Sequence, residues 1–258
     1  MTLMQNLHVH AISCKLRLSL TTVLIFVGSV VAQQDVMLTA ADGVKVYGRY
    51  YPATKQSAPI ILLFHQAESS SWEYAPIAPR LVEDGFSCLA IDQRSGDDMW
   101  GHANQTVAHL GRSVDYLNAL PDLEAALAWA RQQDPNRKII VWGSSYSASL
   151  VFLLSAKHSG EISGLLAFSP GEYFADKHMI EQAAAKLKVP VFVTSSQDPE
   201  EIKAARTIVE HVADPQTRVQ YVPKAGGVHG SSTLRSDRNP KGADDNWRAV
   251  LAFLQRLR

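Results

Sequence analysis

Residues 139–148 constrain the fold more than any other part of the chain. A β-branched, apolar run leads directly into small residues, and an apolar helical pattern follows through Leu150 and Leu154. This order predicts a buried strand, a sharp turn and a helix. Backbone N–H groups and the helix dipole at such a turn favour negative charge. The stretch therefore predicts an α/β unit with a place for chemistry at its turn.

The sequence Gly-Ser-Ser-Tyr-Ser at residues 143–147 has the spacing of the nucleophile elbow, G-x-S-x-G, with Ser147 in place of the second glycine. The residues two before and two after the nucleophile must be small, since larger side chains would collide with the neighbouring strand and helix. Serine is small enough, so Ser145 is the candidate nucleophile. The alternative is an ordinary helix N-cap after a buried strand, because serine is a favoured cap residue.

Buried strands alternate with helical patterns along the rest of the chain, which is typical of βαβ units and a mostly parallel sheet. The predicted strands are residues 59–64, 86–91, 138–142, 162–168, 190–194 and 219–222, and the predicted helices are 72–83, 117–133, 147–157, 180–187, 199–212 and 245–257. Residues 36–39 and 44–51 flank Asp42-Gly43 and predict an antiparallel hairpin. We expect one domain, residues 33–258, with about eight strands.

Residues 1–32 differ in character from the rest. Lys15 and Arg17 precede an uncharged stretch that ends in small residues at Ala32. This order is typical of a secretory signal peptide, and the stretch is shorter than the roughly 20 residues that span a bilayer. We expect cleavage near Ala32, a secreted or periplasmic protein, and no stable membrane insertion afterwards. An uncleaved anchor and a buried first helix are the alternatives.

Charge and cysteine content exclude several functional classes. Lys plus Arg equals Asp plus Glu at 25 each, so the chain lacks the basic footprint of a nucleic-acid-binding protein. The two cysteines, Cys14 and Cys88, cannot build a disulfide framework, and His102 and His109 have no third ligand at a characteristic spacing. We expect no metal, no cofactor and no nucleic-acid partner, and an inert buried thiol at Cys88.

Two further residues follow strands at the edge where parallel sheets bind ligands, beyond the carboxyl ends. Asp198 follows the predicted strand 190–194, and His229 follows the last strand. With Ser145 they make a Ser, Asp, His order along the chain, which predicts a catalytic triad. Each has another interpretation. Asp198 before Pro199 is also a typical helix cap, and His229 is also a typical loop residue.

Two acids after the strand 162–168, Glu172 and Asp176, are alternatives for the third triad position. An oxyanion hole needs two backbone donors. We expect one from Tyr146 and the other from Ala67, with Gln66 next in line.

Four side chains near this rim are candidates to line a substrate pocket: His65, Trp72, Tyr74 and Trp100. Ordinary packing explains each of the three aromatic residues equally well. For His65, a structural role in its loop is the better explanation.

These motifs resemble the α/β-hydrolase superfamily, and within it the compact dienelactone-hydrolase-like enzymes. The resemblance rests on residues 64–67, on the elbow, on Gln197-Asp198 and on residues 228–230. It implies an α/β-hydrolase fold over the whole mature chain. Dienelactone hydrolases use a cysteine nucleophile, so the serine at the elbow makes a serine esterase the better match. The strand 162–168 has no long insertion after it, so no large cap domain is expected, and residues 92–112 form a long loop that we expect over part of the site.

The expected function is hydrolysis of small or medium-sized carboxylic esters through an acyl-Ser145 intermediate. Three alternatives remain open at this stage. The same triad serves an acyltransferase or an amidase or peptidase, and a hydrolase fold also serves as a non-catalytic binding protein.

Overall fold

The computed structural model describes residues 33–258, which form a sheet of eight strands with helices on both faces. The strands are β1 (Gln34–Thr39), β2 (Lys45–Tyr51), β3 (Ile60–Phe64), β4 (Ser87–Ile91), β5 (Ile139–Ser144), β6 (Gly164–Phe168), β7 (Val191–Thr194) and β8 (Arg218–Tyr221). The helices are α1 (Ala78–Glu83), α2 (Gln105–Leu110), α3 (Leu120–Gln133), α4 (Tyr146–Lys157), α5 (Met179–Ala184), α6 (Pro199–Glu210) and α7 (Ala243–Gln255). Three 3₁₀ turns cover Ser71–Tyr74, Tyr116–Ala119 and Gly230–Leu234.

The strand order is β1-β2-β4-β3-β5-β6-β7-β8. Strands β3 to β8 are parallel to one another, whereas β1 pairs with β2, and β2 with β4, in antiparallel fashion. This confirms the predicted mostly parallel sheet with an antiparallel first hairpin. The carboxyl ends of β3, β5, β6 and β7 meet at one edge, where the candidate site lies.

The continuous apolar strands are explained by burial on both faces. In β3, Ile60, Leu62 and Phe64 pack with α3 to α6, while Ile61 and Leu63 pack with α1 and α7. All five side chains have no exposed surface. Cys88 is likewise buried, as predicted, and burial raises the pKa of its thiol far above the ordinary value, so the thiol stays protonated.

The structure differs from the predicted elements at prolines and in one loop. The predicted helix 72–83 is a 3₁₀ turn followed by α1, because Pro76 and Pro79 lack the N–H that a continuous helix needs. The predicted helix 117–133 begins as a 3₁₀ turn, and α3 starts at Leu120 with Pro121 in its first turn, where a fixed φ and a missing N–H are tolerated. The loop 92–112 contains the short helix α2, which begins at an Asn104 side-chain cap.

The proposed signal peptide, residues 1–32, lies outside the described residues, so its cleavage stays a prediction. Within residues 33–258, none of the helices combines the length and the apolar character needed to cross a bilayer.

Candidate active site

The turn between β5 and α4 holds Ser145 in an unusual backbone conformation, φ 59° and ψ −125°. Its N–H donates to the Phe168 carbonyl at 2.8 Å, which ties the turn to the next strand. A Cβ on Gly143 would collide with the Ser147 carbonyl, so only glycine fits there. A strained serine held in this way is typical of a nucleophile elbow.

Ser147 does more than replace a glycine. Its hydroxyl donates to the His65 carbonyl at 2.6 Å and accepts from Gln93 Nε2 at 2.7 Å. The Gln93 side chain also accepts from the His65 N–H at 2.8 Å. The elbow, the loop after β3 and the end of β4 are therefore connected through buried hydrogen bonds.

The imidazole of His229 joins the serine to a carboxylate. Its Nε2 lies 2.8 Å from Ser145 Oγ, and its Nδ1 lies 2.9 Å from Glu201 Oε1. With Nδ1 protonated and donating to Glu201, Nε2 is the acceptor for the serine hydroxyl. The arrangement can remove a proton from Ser145 and stabilise the charge that results.

The prediction that Asp198 contacts the histidine is wrong. Its carboxylate accepts from the N–H groups of Glu200 at 2.8 Å and Glu201 at 3.2 Å, as the N-cap of α6. A cap oxygen turns back toward the first turn of its own helix and away from the neighbouring loop. Glu201, in that first turn, takes the place beside His229.

The two alternative acids also cap local structure. Glu172 accepts from the N–H groups of Ile180 and Glu181 at 2.9 Å, at the start of α5. Asp176 accepts from the His178 N–H at 2.9 Å. Neither carboxylate bonds to His229, whose acidic partner among residues 33–258 is Glu201.

Glu201 is held as a carboxylate. Burial by itself raises the pKa of this group, but hydrogen bonds from His229, from the Ser196 N–H at 3.0 Å and from the Ser169 hydroxyl at 2.8 Å outweigh it. Together they lower the pKa of Glu201 to about 2. The group is therefore ionised wherever the protein is folded near neutral pH.

Two of the three N–H groups predicted as oxyanion donors are available for that role. In residues 33–258 the N–H groups of Tyr146 and Ala67 donate to no protein acceptor, so both are free to bind a developing oxyanion. The Gln66 N–H is not free, because it donates to Glu73 Oε2 at 2.8 Å. Gln66 as the second-choice donor is therefore wrong.

His65 and Tyr74 do not line a substrate pocket, contrary to prediction. Both have no exposed surface. His65 Nδ1 lies 2.7 Å from the Gln66 carbonyl, and its Nε2 accepts from the Gln93 N–H at 2.9 Å. The Tyr74 hydroxyl donates to the Phe64 carbonyl at 2.7 Å. Both side chains fasten loops, the role given above as the alternative for His65.

Trp72 and Trp100 lie on the rim as packing elements. Trp72 is stacked between the His102 ring, at a centroid distance of 3.4 Å, and the Arg49 guanidinium at 3.5 Å. Trp100 donates through Nε1 to Ser69 Oγ at 2.6 Å and lies beneath the guanidinium of Arg235. Neither borders the cavity next to Ser145.

That cavity has a volume of about 490 Å³ and lies between residues 114–117 and residues 173–175. Its lining is largely apolar and aromatic: Val114, Asp115, Tyr116, Leu117, Tyr173, Phe174 and Ala175. Burial raises the pKa of Tyr173 to about 12, and the Ser145 hydroxyl limits this increase. The Tyr173 hydroxyl donates to the Ser169 carbonyl at 2.8 Å, one residue after the Phe168 carbonyl that holds the elbow. Tyr116 stacks on Tyr146 at 4.3 Å. No periodic pattern in the sequence points to these loop residues.

The long loop 92–112 contacts the elbow through Gln93, which donates to Ser147 Oγ at 2.7 Å, and through Ser95, whose Oγ lies 2.6 Å from the Tyr146 hydroxyl. Met99 Sδ accepts from Gln66 Nε2 at 3.0 Å, and the Met99 N–H donates to the Glu68 carbonyl at 3.0 Å. The loop is fixed by the buried ion pair of Arg94 with Asp122 and by hydrogen bonds to Asp92. It therefore supports the loop after β3.

The sequence of the chain is similar to that of a known enzyme family and of one characterised protein. The family model for serine aminopeptidase S33 matches residues 55–224. A quorum-quenching protein, AidA of Acinetobacter baumannii, is 29% identical over 125 residues, which are 47% of this chain and 38% of that protein. The chain thus spans well under half the length of this relative.

Solved structures share the fold at low identity. The Pyrococcus furiosus esterase Pf2001 superposes with a TM-score of 0.65 at 20% identity, covering 87% of this chain and 92% of that one. A Klebsiella pneumoniae protein assigned to the dienelactone hydrolases superposes with a TM-score of 0.63 at 19% identity, covering 87% of this chain and 99% of that one. With the match over residues 55–224, these findings lead to one conclusion: the chain is a hydrolase with the α/β-hydrolase fold and belongs to the serine aminopeptidase S33 family.

Proposed function

We propose that the chain is a serine esterase that cleaves small or medium-sized carboxylic esters with Ser145, His229 and Glu201. The observation that carries the proposal is the continuous hydrogen-bonded series from Ser145 Oγ through His229 to Glu201, at 2.8 and 2.9 Å. Distances of this size lie within the range for a nucleophile and its general base. No cofactor takes part in this chemistry.

In the proposed mechanism, His229 Nε2 takes the Ser145 proton while Oγ attacks the ester carbonyl. The oxyanion accepts hydrogen bonds from the Tyr146 and Ala67 N–H groups. His229 then gives its proton to the leaving alcohol, which leaves an acyl-Ser145 intermediate. Water, activated by His229, releases the acid and restores the serine, while Glu201 holds the imidazole tautomer throughout.

We propose that the apolar part of the ester occupies the cavity between Tyr116 and Tyr173. Its volume of about 490 Å³ lies within the range for small-molecule sites. Apart from Asp115, the lining offers no charged side chain, so most of the cavity suits an apolar group.

The triad is tested by labelling with a fluorophosphonate, which reacts only with an activated serine, and mapping the modified residue by mass spectrometry. We expect the label on Ser145 and none in His229→Ala. We expect Ser145→Ala and His229→Ala to lower kcat by about 10⁶-fold with a p-nitrophenyl ester. Ser113→Ala, at an exposed serine, is the matched control and should keep full activity. Ordinary esterase activity in Ser145→Ala would refute the proposal.

A peptidase is the second candidate, favoured by the name of the matching family. An aminopeptidase must bind a substrate ammonium group, and Asp115 is the acid that the cavity offers for it. Comparing kcat/KM for aminoacyl p-nitroanilides and for p-nitrophenyl esters of equal length separates the two. If the anilides are preferred and Asp115→Asn removes the preference, the chain is a peptidase. Acyl transfer is recognised by the product formed with an added alcohol or amine.

We further propose that residues 1–32 are removed on export. The expected mature protein begins at Gln33 and lies outside the cytoplasm. N-terminal sequencing of the protein from fractionated cells is the test, and an intact Met1 terminus in the cytoplasmic fraction would contradict the proposal.

A further inference from the structure

Glu73 is a buried acid that the triad does not use. It lies in the 3₁₀ turn Ser71–Tyr74 and has no exposed surface. Within residues 33–258 its carboxylate forms no ion pair, since the nearby Arg235 donates to the Glu73 main-chain carbonyl at 3.3 Å instead. A carboxylate buried without a cation is costly unless hydrogen bonds compensate for the lost water.

The compensation comes from two separate segments. Oε1 accepts from the Ser144 hydroxyl at 2.6 Å, and Oε2 accepts from the Gln66 N–H at 2.8 Å. The same Ser144 oxygen accepts from the Ser231 N–H at 2.8 Å. One carboxylate and one hydroxyl therefore join the loop after β3, the nucleophile elbow and the loop that carries the histidine.

Each of these three anchors lies beside a reacting group. Ala67, an oxyanion donor, follows Gln66. Ser145 follows Ser144, and His229 lies two residues before Ser231. The packing is also tight, because a Cβ on Gly230 would collide with Ser144 Oγ.

We propose that Glu73 is a positioning residue, which holds the oxyanion donor, the nucleophile and the histidine at the distances from one another that the proposed esterase reaction needs. This inference rests on the proposed function, since it concerns the same site. Each carboxylate oxygen accepts one hydrogen bond, which partly offsets the cost of burying the ionised form. A protonated carboxyl or an amide would turn one donor toward the Gln66 N–H or leave the Ser144 hydroxyl without an acceptor.

The test compares Glu73→Gln with Glu83→Gln, the same chemical change at an exposed glutamate of the neighbouring helix. We expect Glu73→Gln to lower kcat by roughly 10- to 100-fold with KM within about twofold, because misplacement of reacting groups affects the chemical step more than binding. Glu83→Gln should leave both constants unchanged. A merely structural role would lower the melting temperature without a selective loss of kcat at a nearly constant KM.

Ser144→Ala provides the second arm, since it removes the hydroxyl that connects Glu73 to the elbow. We expect a similar loss of kcat, and we expect the double variant to lose little more than either single variant, since both act through one hydrogen bond. If Glu73→Gln does not fold, Ser144→Ala decides alone. A wild-type kcat in Ser144→Ala, or in folded Glu73→Gln, would overturn this inference while labelling at Ser145 would still support the esterase. If the fluorophosphonate does not label Ser145 in the wild-type protein, the proposed function itself is rejected.

Discussion

At the scale of single residues, the site depends on which of two neighbouring acids faces the histidine. Asp198 and Glu201 both follow β7, and only the backbone direction at the start of α6 distinguishes them. The N-cap oxygen is used by the helix, whereas the longer side chain of Glu201 reaches across to His229. A typical capping box would use Glu201 to accept from the N-cap N–H. In the structure Ser196 Oγ accepts from that N–H at 3.1 Å, which leaves Glu201 available to His229.

We expect Glu201→Gln to lower kcat by about 10⁴-fold, because an amide cannot hold the imidazole tautomer or stabilise the imidazolium. Asp198→Asn is the matched control. It keeps a capping oxygen, so its kcat should stay within about twofold and its free energy of unfolding within about 1 kcal/mol. Steady-state kinetics and urea denaturation of both variants check the assignment. A large loss of kcat in Asp198→Asn alone would return the role to Asp198.

The raised pKa of Glu73 should make the free energy of unfolding fall as the pH rises. Burial is the main cause that raises its pKa from 4.5 to about 7, and hydrogen bonds from Ser144 and Gln66, with the charges of Arg235 and His229, limit the increase. The folded state thus binds the extra proton between these two pH values, and the contribution is complete below pH 4.5 and lost as the pH passes about 7.

Relative to Glu73→Gln, the wild-type free energy of unfolding should therefore decrease by up to about 3 kcal/mol between pH 4.5 and pH 8. Urea denaturation of both proteins across this range measures the difference. A difference that does not change with pH would show that the carboxyl keeps its ordinary pKa.

At the scale of elements, the elbow depends on how closely α4 approaches β5. The atoms that a Cβ at Gly143 would meet are backbone atoms of Ser147 and Ala148, which cannot move without moving the helix. The helix N-terminus carries both the proposed nucleophile, Ser145, and one proposed oxyanion donor, Tyr146. Any shift of α4 therefore displaces two reacting groups together.

Gly143→Ala should cost about 1 to 3 kcal/mol of stability and lower kcat by at least roughly 100-fold. Gly164→Ala is the matched control in the adjacent strand β6, because its new methyl would meet only the Leu257 side chain, which can rotate. The control should keep its kcat. Equal kinetic effects in the two variants would contradict the role given to the elbow.

The 3₁₀ turn Tyr116–Ala119 borders the cavity and should set the size of ester accepted. Leu117 is 38% exposed there, so Leu117→Trp fills space without disturbing the core. We expect kcat/KM to fall by at least about tenfold for longer acyl or alcohol chains and to stay unchanged for acetate esters. Met37→Trp, on the distant strand β1, is the control. An unchanged chain-length profile would place the substrate elsewhere.

At the scale of the whole molecule, the sequence predicts the sheet, the hairpin and the sharp turn after β5 well, because these depend on local periodicity and on a tight motif. It predicts less about residues whose role depends on contacts across loops. His65 and Tyr74 have the right chemistry and position along the chain, but long-range hydrogen bonds bury them. Tyr173 and Glu73 come to the site through the packing of loops, for which no pattern in the chain is diagnostic.

The fastening of the loop 92–112 has a kinetic consequence. Between β6 and β7 the chain forms a single short helix, α5, and the loop 92–112 is fixed by the buried ion pair of Arg94 with Asp122. Because this ion pair holds the loop in place, we do not expect an oil–water boundary to move it relative to the site. We expect a saturating rate curve for a sparingly soluble ester, with no abrupt rise where the substrate passes its solubility limit. The rate is measured by titrating the acid released in an ester emulsion. A jump in rate at the solubility limit would reveal a moving cover over the site.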